Sequence, residues 1–504
     1  MSLHSGLERP RGGSPAPLRR LARARVRTRA REVAIPVCTV AVLFAFYTVF
    51  SVRRHDLMLT SGYDLGIFEQ AVRSYAGGHW PVASLKGPNY NLLGDHFSPI
   101  TATIAPFYRI WPSALTLLVA QAFLFALAAY PLCRWAQRSV GRAAALTVGL
   151  AYGTSWGIAS AVVFDFHEIA FAVPLLAFSL AALGERRWRG AVGWALPLVL
   201  VKEDLGFTLA AIGAYVAWYG SRRLGLATAV FGVAASLVEM FVVLASVNED
   251  GYAYTQSLGG DPATGTGSVP ERLLAVPQQL VWPEPKVHTL LFLAALTGFV
   301  ALRSPLVLLC LPTLGWRFLS GNASYWETRF HYSAVLMPIV FAAFIDVLAR
   351  RRRAAEPGGP EVRRAAKASQ RASLGITAAV ALIVLPLFPY RAYPDLFTTD
   401  PHVTAARAVL AAIPDGASVT ASNRLVPQLT GRCDVVLLGY PQMRPRYTTQ
   451  WIVSDTKAAP SGWPMSAEDE AAVLEDARAQ GYRTAAEQDG VVLLERTAAA
   501  GAAP

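Results

Sequence analysis

The sequence predicts a polytopic α-helical membrane protein with about eleven transmembrane helices, followed by a small C-terminal α/β domain. Of the 504 residues, 53% are hydrophobic and only 16% are charged, and the mean hydropathy is +0.35. This composition is too apolar for a soluble protein of this length. The formal charge of +12 comes from arginines in short segments between apolar stretches, as expected for cytoplasmic loops. The basic residues therefore indicate a lipid bilayer, and not nucleic acid, as the partner.

The N-terminal residues 1–32 contain nine arginines together with Gly, Ser and Pro. We predict a basic, disordered tail on the cytoplasmic side of the membrane. The apolar stretch that begins at Val33 lacks a small-residue cleavage site, so we interpret it as an uncleaved signal anchor. The pair Arg53–Arg54, just beyond this stretch, is interpreted as interfacial residues that reach the lipid head groups.

Eleven apolar stretches divide the predicted transmembrane domain, residues 33–392. Arginine-rich connections follow alternate stretches, which places these connections in the cytoplasm. The predicted outer loops 51–112 and 247–287 are long, so we expect the function on the outer side. The second loop is rich in Gly and Pro and either covers a site or only connects two spans. The stretches are 33–50, 113–133, 143–163, 168–183, 190–201, 205–219, 224–246, 288–302, 304–320, 331–349 and 374–390.

A charged break, Lys202-Glu203-Asp204, separates two of the shorter stretches. One long helix over 190–219 is the alternative, but it would expose part of this charged turn to lipid and would place the arginine-rich segment 350–371 outside. We therefore predict two short helices. A helix over Gly190–Val201 covers about 18 Å of a roughly 30 Å hydrocarbon layer. The charged turn is thus expected in a recess lined by protein.

From about residue 395 the chain has the composition of a soluble protein. The pattern predicts a small extracytoplasmic α/β domain over residues 395–496 and a disordered tail over 497–504. The predicted elements are a helix at 402–412, strands near 417–421, 434–438 and 450–454, a helix near 467–480 and a hairpin around 488–490.

Six polar clusters are predicted on the outer side; one is the pair Arg53–Arg54, and the other five lie beside or between apolar stretches. Ionisable residues in such places are costly and typically mark functional sites. The other five clusters are YDLGIFEQ with Asp64, Glu69 and Gln70; GDHFSP with Asp95 and His96; FDFHE with Asp165, His167 and Glu168; KED with Lys202, Glu203 and Asp204; and WETRFHY with Glu327, Arg329, His331 and Tyr332.

These residue types suit a substrate that carries phosphate and hydroxyl groups. Carboxylates can deprotonate or hold sugar hydroxyls, whereas Arg329 and Lys202 can hold a phosphate. A divalent metal ion is a second interpretation of the histidine and carboxylate pairs, and plain hydrogen-bonded pairs are the alternative. The sequence leaves both open for Asp95, His96, Asp165, His167 and Glu168.

The strings YDLGIFEQ, GDHFSP, FDFHE and KEDLG, in this order, resemble a family of bacterial multi-pass membrane proteins, domain-of-unknown-function family 2079. The resemblance runs from about Ala41 to Glu495 and includes the strings IPDGASV and WIVSD. It implies a protein of the bacterial plasma membrane. The architecture of the family is similar to that of GT-C glycosyltransferases, such as protein mannosyltransferases and aminoarabinose transferases. Those enzymes use polyprenyl-phosphate sugars outside the cytoplasm, and Asp64 matches their acidic position after the first span.

The leading hypothesis is a glycosyltransferase that moves a sugar from a polyprenyl-phosphate donor to an envelope acceptor on the extracytoplasmic side. A transporter or flippase of a polar or lipid-linked substrate is the alternative. In the transferase, Asp64 is the expected base, and Asp95, Asp165 and Glu168 orient the donor or a metal ion. The expected substrate-binding residues are Gln70, His96, His167, Lys202, Glu203, Asp204, Glu327, Arg329, His331 and Tyr332.

Overall fold

The structure is a computed structural model, and it describes residues 16–247, 277–387, 390, 393–439, 447–457 and 465–497. Most of the predicted outer loop 247–287, the first 15 residues and the tail beyond residue 497 lie outside the described residues. The helices are α1 Ala16–Asp56, α2 Ile67–Ala76, α3 Ala105–Ile110, α4 Ala114–Ser139, α5 Arg142–Gly153, α6 Trp156–Val163, α7 Ala172–Gly184, α8 Trp188–Ala195, α9 Leu205–Tyr219, α10 Arg222–Val238, α11 Glu284–Ala295, α12 Leu311–Leu319, α13 Leu336–Ala355, α14 Pro360–Leu387, α15 Pro401–Leu410 and α16 Ala467–Ala479.

Within the described ranges, four helical segments are long and apolar enough to cross a membrane. The pair α5–α6, bent by 41°, adds a fifth if the two helices are counted as one span. Each of the eleven predicted stretches coincides with helical residues, but the number of spans stays a prediction. The four segments are Glu32–Asp56, Ala114–Ser139, Arg222–Val247 and His331–Ala355.

The predicted break at the KED sequence is confirmed. Helix α8 continues as a 3₁₀ turn to Leu200, and α9 begins at Leu205. The charged turn between them is buried, because Glu203 is fully inaccessible and Lys202 and Asp204 are less than 10% exposed. This burial requires partners for the three side chains within the protein.

Helix α1 begins at Ala16, so it includes residues 16–32 of the predicted N-terminal tail. Neither Gly nor Pro occurs between Leu18 and Ile35, and Arg, Ala and Leu have high helix propensity. The helix of the first span can therefore extend toward the N-terminus.

The C-terminal sheet domain, residues 401–496, contains a five-stranded sheet in the order β2-β1-β3-β5-β4. Strand β1 pairs in parallel with β2 and β3, and β5 pairs antiparallel with β3 and β4. Helices and strands lie close to their predicted positions. The strands are β1 Ser418–Ala421, β2 Asp434–Leu437, β3 Trp451–Asp455, β4 Tyr482–Gln488 and β5 Val491–Arg496.

The sheet domain shares a hydrophobic core with the α1–α4 connection, residues 57–113. Phe68 and Val72 of α2 belong to the same buried cluster as Val426 and Leu429 of the sheet domain. The approach is close at Gly62, where an added Cβ would lie 2.9 Å from Cγ1 of Val426. The sheet domain is therefore packed onto the connection that carries Asp64 and is not a separate appendage.

Candidate functional site

The FDFHE sequence forms a non-helical loop between α6 and α7, and a glutamine within α4 holds this loop. Gln121 donates from Nε2 to the carbonyl of Asp165 at 2.5 Å, and its Oε1 accepts from the backbone N–H of His167 at 3.0 Å. In a helix, the Asp165 carbonyl and the His167 N–H would be hydrogen-bonded to other backbone groups. In this loop, one buried side chain supplies both hydrogen bonds. Gln121 was not predicted as a site residue, although a lone amide within an apolar stretch is the signal that could have found it.

The interfacial interpretation of Arg54 is wrong, because its side chain is buried against the FDFHE loop. Arg54 Nη1 lies 2.7 Å from Asp165 Oδ1, and both side chains are about 95% buried. Asp165 also accepts from the backbone N–H of Ser61 at 2.9 Å, and Arg54 donates to the carbonyl of Leu59 at 2.7 Å. The carboxylate of Asp165 is therefore neutralised and oriented by Arg54, which fits a positioning residue better than a free base.

A second group of ion pairs connects the KED turn to two other clusters. His96 Nδ1 lies 2.9 Å from Glu203 Oε1, and the backbone N–H of Phe97 donates to Glu203 Oε2 at 3.1 Å. Lys202 Nζ lies 3.4 Å from Glu168 Oε1. Burial and Lys202 lower the pKa of His96, but Glu203 outweighs them, so the net pKa is raised. These contacts bring three predicted clusters together, and their charged side chains pair with one another.

Asp64 lies on a turn that the sheet domain holds in place. The N–H of Gly62 donates to the carbonyl of Asn423 at 2.7 Å, and the N–H of Tyr63 donates to the Asn423 side-chain oxygen at 3.2 Å. Burial raises the pKa of the Asp64 carboxyl, whereas the nearby His167 lowers it. The position of Asp64 therefore depends on the sheet domain as well as on the connection that carries it.

Arg317 holds the WETRFHY segment and was also missed. Its guanidinium is fully buried and donates to the carbonyls of Tyr325 at 2.7 Å and Glu327 at 3.1 Å, and to the Ser333 hydroxyl at 3.1 Å. One arginine in an otherwise apolar helix was the available signal. Arg329 remains 73% exposed, and its Nε donates to Glu327 Oε2 at 2.6 Å.

A cavity of about 680 Å³, here called the junction cavity, lies between the membrane helices, the α1–α4 connection and the sheet domain. A smaller space of about 20 Å³, here called the histidine pocket, is lined by His167, Lys202, Asp204 and His331. Tyr332 lines both spaces, which places them next to each other. Polar residues that line the junction cavity are Arg54, Asp64, Asp165, Asn322, Arg329, Asn423, Arg424, Asp455 and Glu470.

Two of the predicted site residues, Asp95 and Gln70, make structural contacts within or next to the α1–α4 connection. Asp95 lies 3.2 Å from Lys86 Nζ. Gln70 donates to the carbonyl of Val435 at 2.8 Å and accepts from the N–H of Leu85 at 3.0 Å. Both groups of the Gln70 amide are therefore engaged by backbone, which joins the connection to β2.

Glu69 gives a prediction for the pH dependence of stability. Its fully buried carboxyl contacts the hydroxyls of Tyr108 at 2.9 Å and of Thr430, and burial raises its pKa to about 7. In the unfolded chain the Glu69 carboxyl loses its proton near pH 4.5, whereas in the folded protein it keeps the proton up to about pH 7. The protonated carboxyl therefore contributes its full share to the free energy of unfolding below pH 4.5, and this share is lost as the pH rises from 4.5 to 7. We expect the Glu69→Gln variant to lack this pH-dependent decrease in the free energy of unfolding, which amounts to at most about 3 kcal/mol in the wild type.

Thermal unfolding in detergent between pH 4.5 and 7.5 measures this effect. The exposed Glu487 provides the control, and Glu487→Gln should leave the pH profile unchanged. Parallel profiles for wild type and Glu69→Gln would contradict the prediction.

The fold is similar to that of ArnT from Cupriavidus metallidurans bound to undecaprenyl phosphate, with a TM-score of 0.55 and 16% identity over 93% of this chain and 99% of that chain. ArnT in the apo state gives a TM-score of 0.48 and 14% identity over 93% and 98% of the two chains. A third similar structure is the archaeal oligosaccharyltransferase AglB from Archaeoglobus fulgidus, in complex with an inhibitory peptide and a dolichol-phosphate. Its TM-score is 0.34 and its sequence identity is 12%, over 92% of this chain and 75% of that chain. A comparison with curated proteins gives no match.

The fold defines the class, a membrane protein similar in architecture to ArnT, which agrees with the GT-C-like architecture that the resemblance implied. The family profile described as "Predicted membrane protein (DUF2079)" matches residues 54–493. The chain therefore belongs to this family, as the four strings indicated.

Proposed function

We propose that the protein transfers a sugar from a polyprenyl-phosphate donor to an envelope acceptor at the extracytoplasmic side of the membrane. The observation that carries the proposal is the junction cavity, where a carboxylate, Asp64, and an exposed guanidinium, Arg329, line one space beside membrane helices. The likeness to ArnT supports the fold, and the undecaprenyl phosphate bound to that protein is the reason for naming a lipid phosphate as the donor's carrier.

Asp64 is the proposed base toward the acceptor hydroxyl. The other predicted catalytic carboxylates are engaged by cations: Asp165 by Arg54, Asp95 by Lys86 and Glu168 by Lys202. Asp64 instead lies beside imidazoles and lines the cavity. A base must reach the proton that it accepts, and Asp64 lines the junction cavity, whereas Asp165, which also lines it, is paired with Arg54.

Arg329 is the proposed partner of the departing lipid phosphate. Its Nε is held by Glu327 at 2.6 Å, which orients the guanidinium and leaves two nitrogens for a bidentate contact with phosphate oxygens. Lys202 is buried against Glu168, so we assign it a role in holding that carboxylate. The phosphate contact strengthens as negative charge develops on the leaving group.

Replacement of Arg329 tests the phosphate role. We expect Arg329→Gln to lower transfer about 10–100-fold, since one charged contact to the developing phosphate charge is lost. Purified protein in nanodiscs would be assayed with undecaprenyl-phosphate sugars and envelope extracts as acceptor. Arg329→Lys should retain more activity than Arg329→Gln, and Arg483→Gln, at an exposed position of the sheet domain, should equal wild type.

Normal transfer by Arg329→Gln would remove Arg329 from the proposed site. An absence of transfer by wild type with every donor, combined with labelling of cysteines near Lys202 from the cytoplasmic side, would favour the transporter hypothesis.

A further inference from the structure

Three side chains with metal-binding groups meet where the histidine pocket adjoins the junction cavity. Asp64, His167 and His331 each offer one ligand atom, and these three atoms lie within 4.8 Å of one another. Ligand atoms that share one ion at about 2.1 Å lie roughly 3–3.5 Å apart. Small side-chain movements therefore suffice to bring all three to one ion.

His331 has no hydrogen-bond partner for either ring nitrogen among the described residues, although its side chain is 3% exposed. Its ring stacks on that of His167, with 3.5 Å between the ring centroids and 23° between the planes. A buried ring nitrogen without a hydrogen-bond partner destabilises the folded protein. A cation at one of these nitrogens would supply a partner, because neutral imidazole is a common metal ligand.

The surroundings of His167 match those of a ligating histidine. Its Nδ1 lies 2.7 Å from Oε2 of the buried Glu168. With the carboxylate on the Nδ1 side, Nε2 is the ring nitrogen left for a ligand, as is common in metal-binding histidines. Asp204 also lines the histidine pocket, and its Oδ1 has no hydrogen-bond partner among the described residues. The Lys202 ammonium lines the same space and lies 3.4 Å from the buried Glu168.

We infer that Asp64, His167 and His331 bind one divalent transition-metal ion of the zinc class. Two imidazoles and one carboxylate favour such an ion over magnesium or calcium, which prefer oxygen ligands. The histidine pocket, of about 20 Å³, has room for one ion or one water molecule. One oxygen of Asp64 would contact the ion, and its second oxygen would remain available to a substrate hydroxyl in the junction cavity.

Titration of the chelator-treated, full-length protein with Co²⁺ and Zn²⁺ tests the site. We expect one equivalent of metal bound, with visible Co²⁺ absorption bands. His331→Ala and His167→Ala should each lower the affinity at least about 10-fold. His288→Ala is the matched control, because that imidazole is 55% exposed and lies 3.2 Å from Glu284, and this variant should bind as wild type does.

A further variant separates loss of a ligand from loss of the fold. His331→Cys keeps a ligating side chain, so it should retain metal and add a thiolate-to-cobalt charge-transfer band. Equal affinities of wild type and both alanine variants would show adventitious binding only and would overturn the inference.

The outcome is independent of the proposed transfer reaction. Metal bound by wild type, together with no sugar transfer, would contradict the proposed function alone. Transfer by a wild-type protein that binds no metal would contradict the metal site alone.

Discussion

Replacement of Asp64 by asparagine should reduce sugar transfer by about 10²–10⁴-fold, the range expected when a general base is lost. Asparagine keeps the size of the side chain, so the turn held by Asn423 should remain in place. The measurement is the initial rate with an undecaprenyl-phosphate sugar in nanodiscs, compared at equal amounts of folded protein.

Asp434→Asn is a suitable control for Asp64→Asn, since the Asp434 side chain is 78% exposed and lies on β2 of the sheet domain. It should be as active as wild type. If Asp64→Asn were also fully active while its thermal unfolding matched wild type, Asp64 could not be the base. Measuring bound metal in the same samples separates a lost base from a lost ligand.

The largest expected effect on stability comes from Arg54. Arg54→Met would leave Asp165 buried with a charge that has lost its partner at 2.7 Å. Removing one member of a buried pair costs about 3–5 kcal/mol. We therefore expect a large drop in the midpoint of thermal unfolding in detergent, together with loss of transfer, because Asp165 also holds the N–H of Ser61 near the Asp64 turn.

The neighbouring Arg53 offers a matched comparison. It lies 3.3 Å from Asp56, and both side chains are about one-third exposed, so Arg53→Met should cost less than about 1 kcal/mol. Combining Arg54→Met with Asp165→Asn should recover part of the lost stability, because no charge is left without a partner and asparagine tolerates the positive φ of 85° at this position. Equal destabilisation by Arg53→Met and Arg54→Met would refute the buried role of Arg54.

Local patterns allowed much of the fold to be predicted. Apolar stretches gave the positions of the helices, and the composition change near residue 395 gave the sheet domain, because burial against lipid and burial in a soluble core select different residues. The break at Lys202-Glu203-Asp204 was predictable since three charges cannot face lipid. The packing of the sheet domain on the α1–α4 connection was not predictable, as apolar residues such as Phe68 and Val426 do not reveal their partners.

The site was predictable as a set of residues, but their pairing was not. The strings indicated Asp64, Asp165 and Glu203, yet nothing in the sequence tells that Arg54 neutralises Asp165 or that His96 faces Glu203. Such contacts join residues about a hundred positions apart. In the sequence, Arg54 lies at the end of a transmembrane stretch, and an arginine at such a position usually extends its side chain to the lipid head groups.

A cryo-electron microscopy structure of the protein in nanodiscs with undecaprenyl phosphate tests the central claim most directly, namely that the junction cavity receives a lipid-linked phosphate. We predict that the phosphate lies in this cavity in contact with Arg329, with Asp64 facing the same space. A phosphate bound elsewhere, or a cavity closed to the lipid while Arg329 faces away from it, would contradict the account.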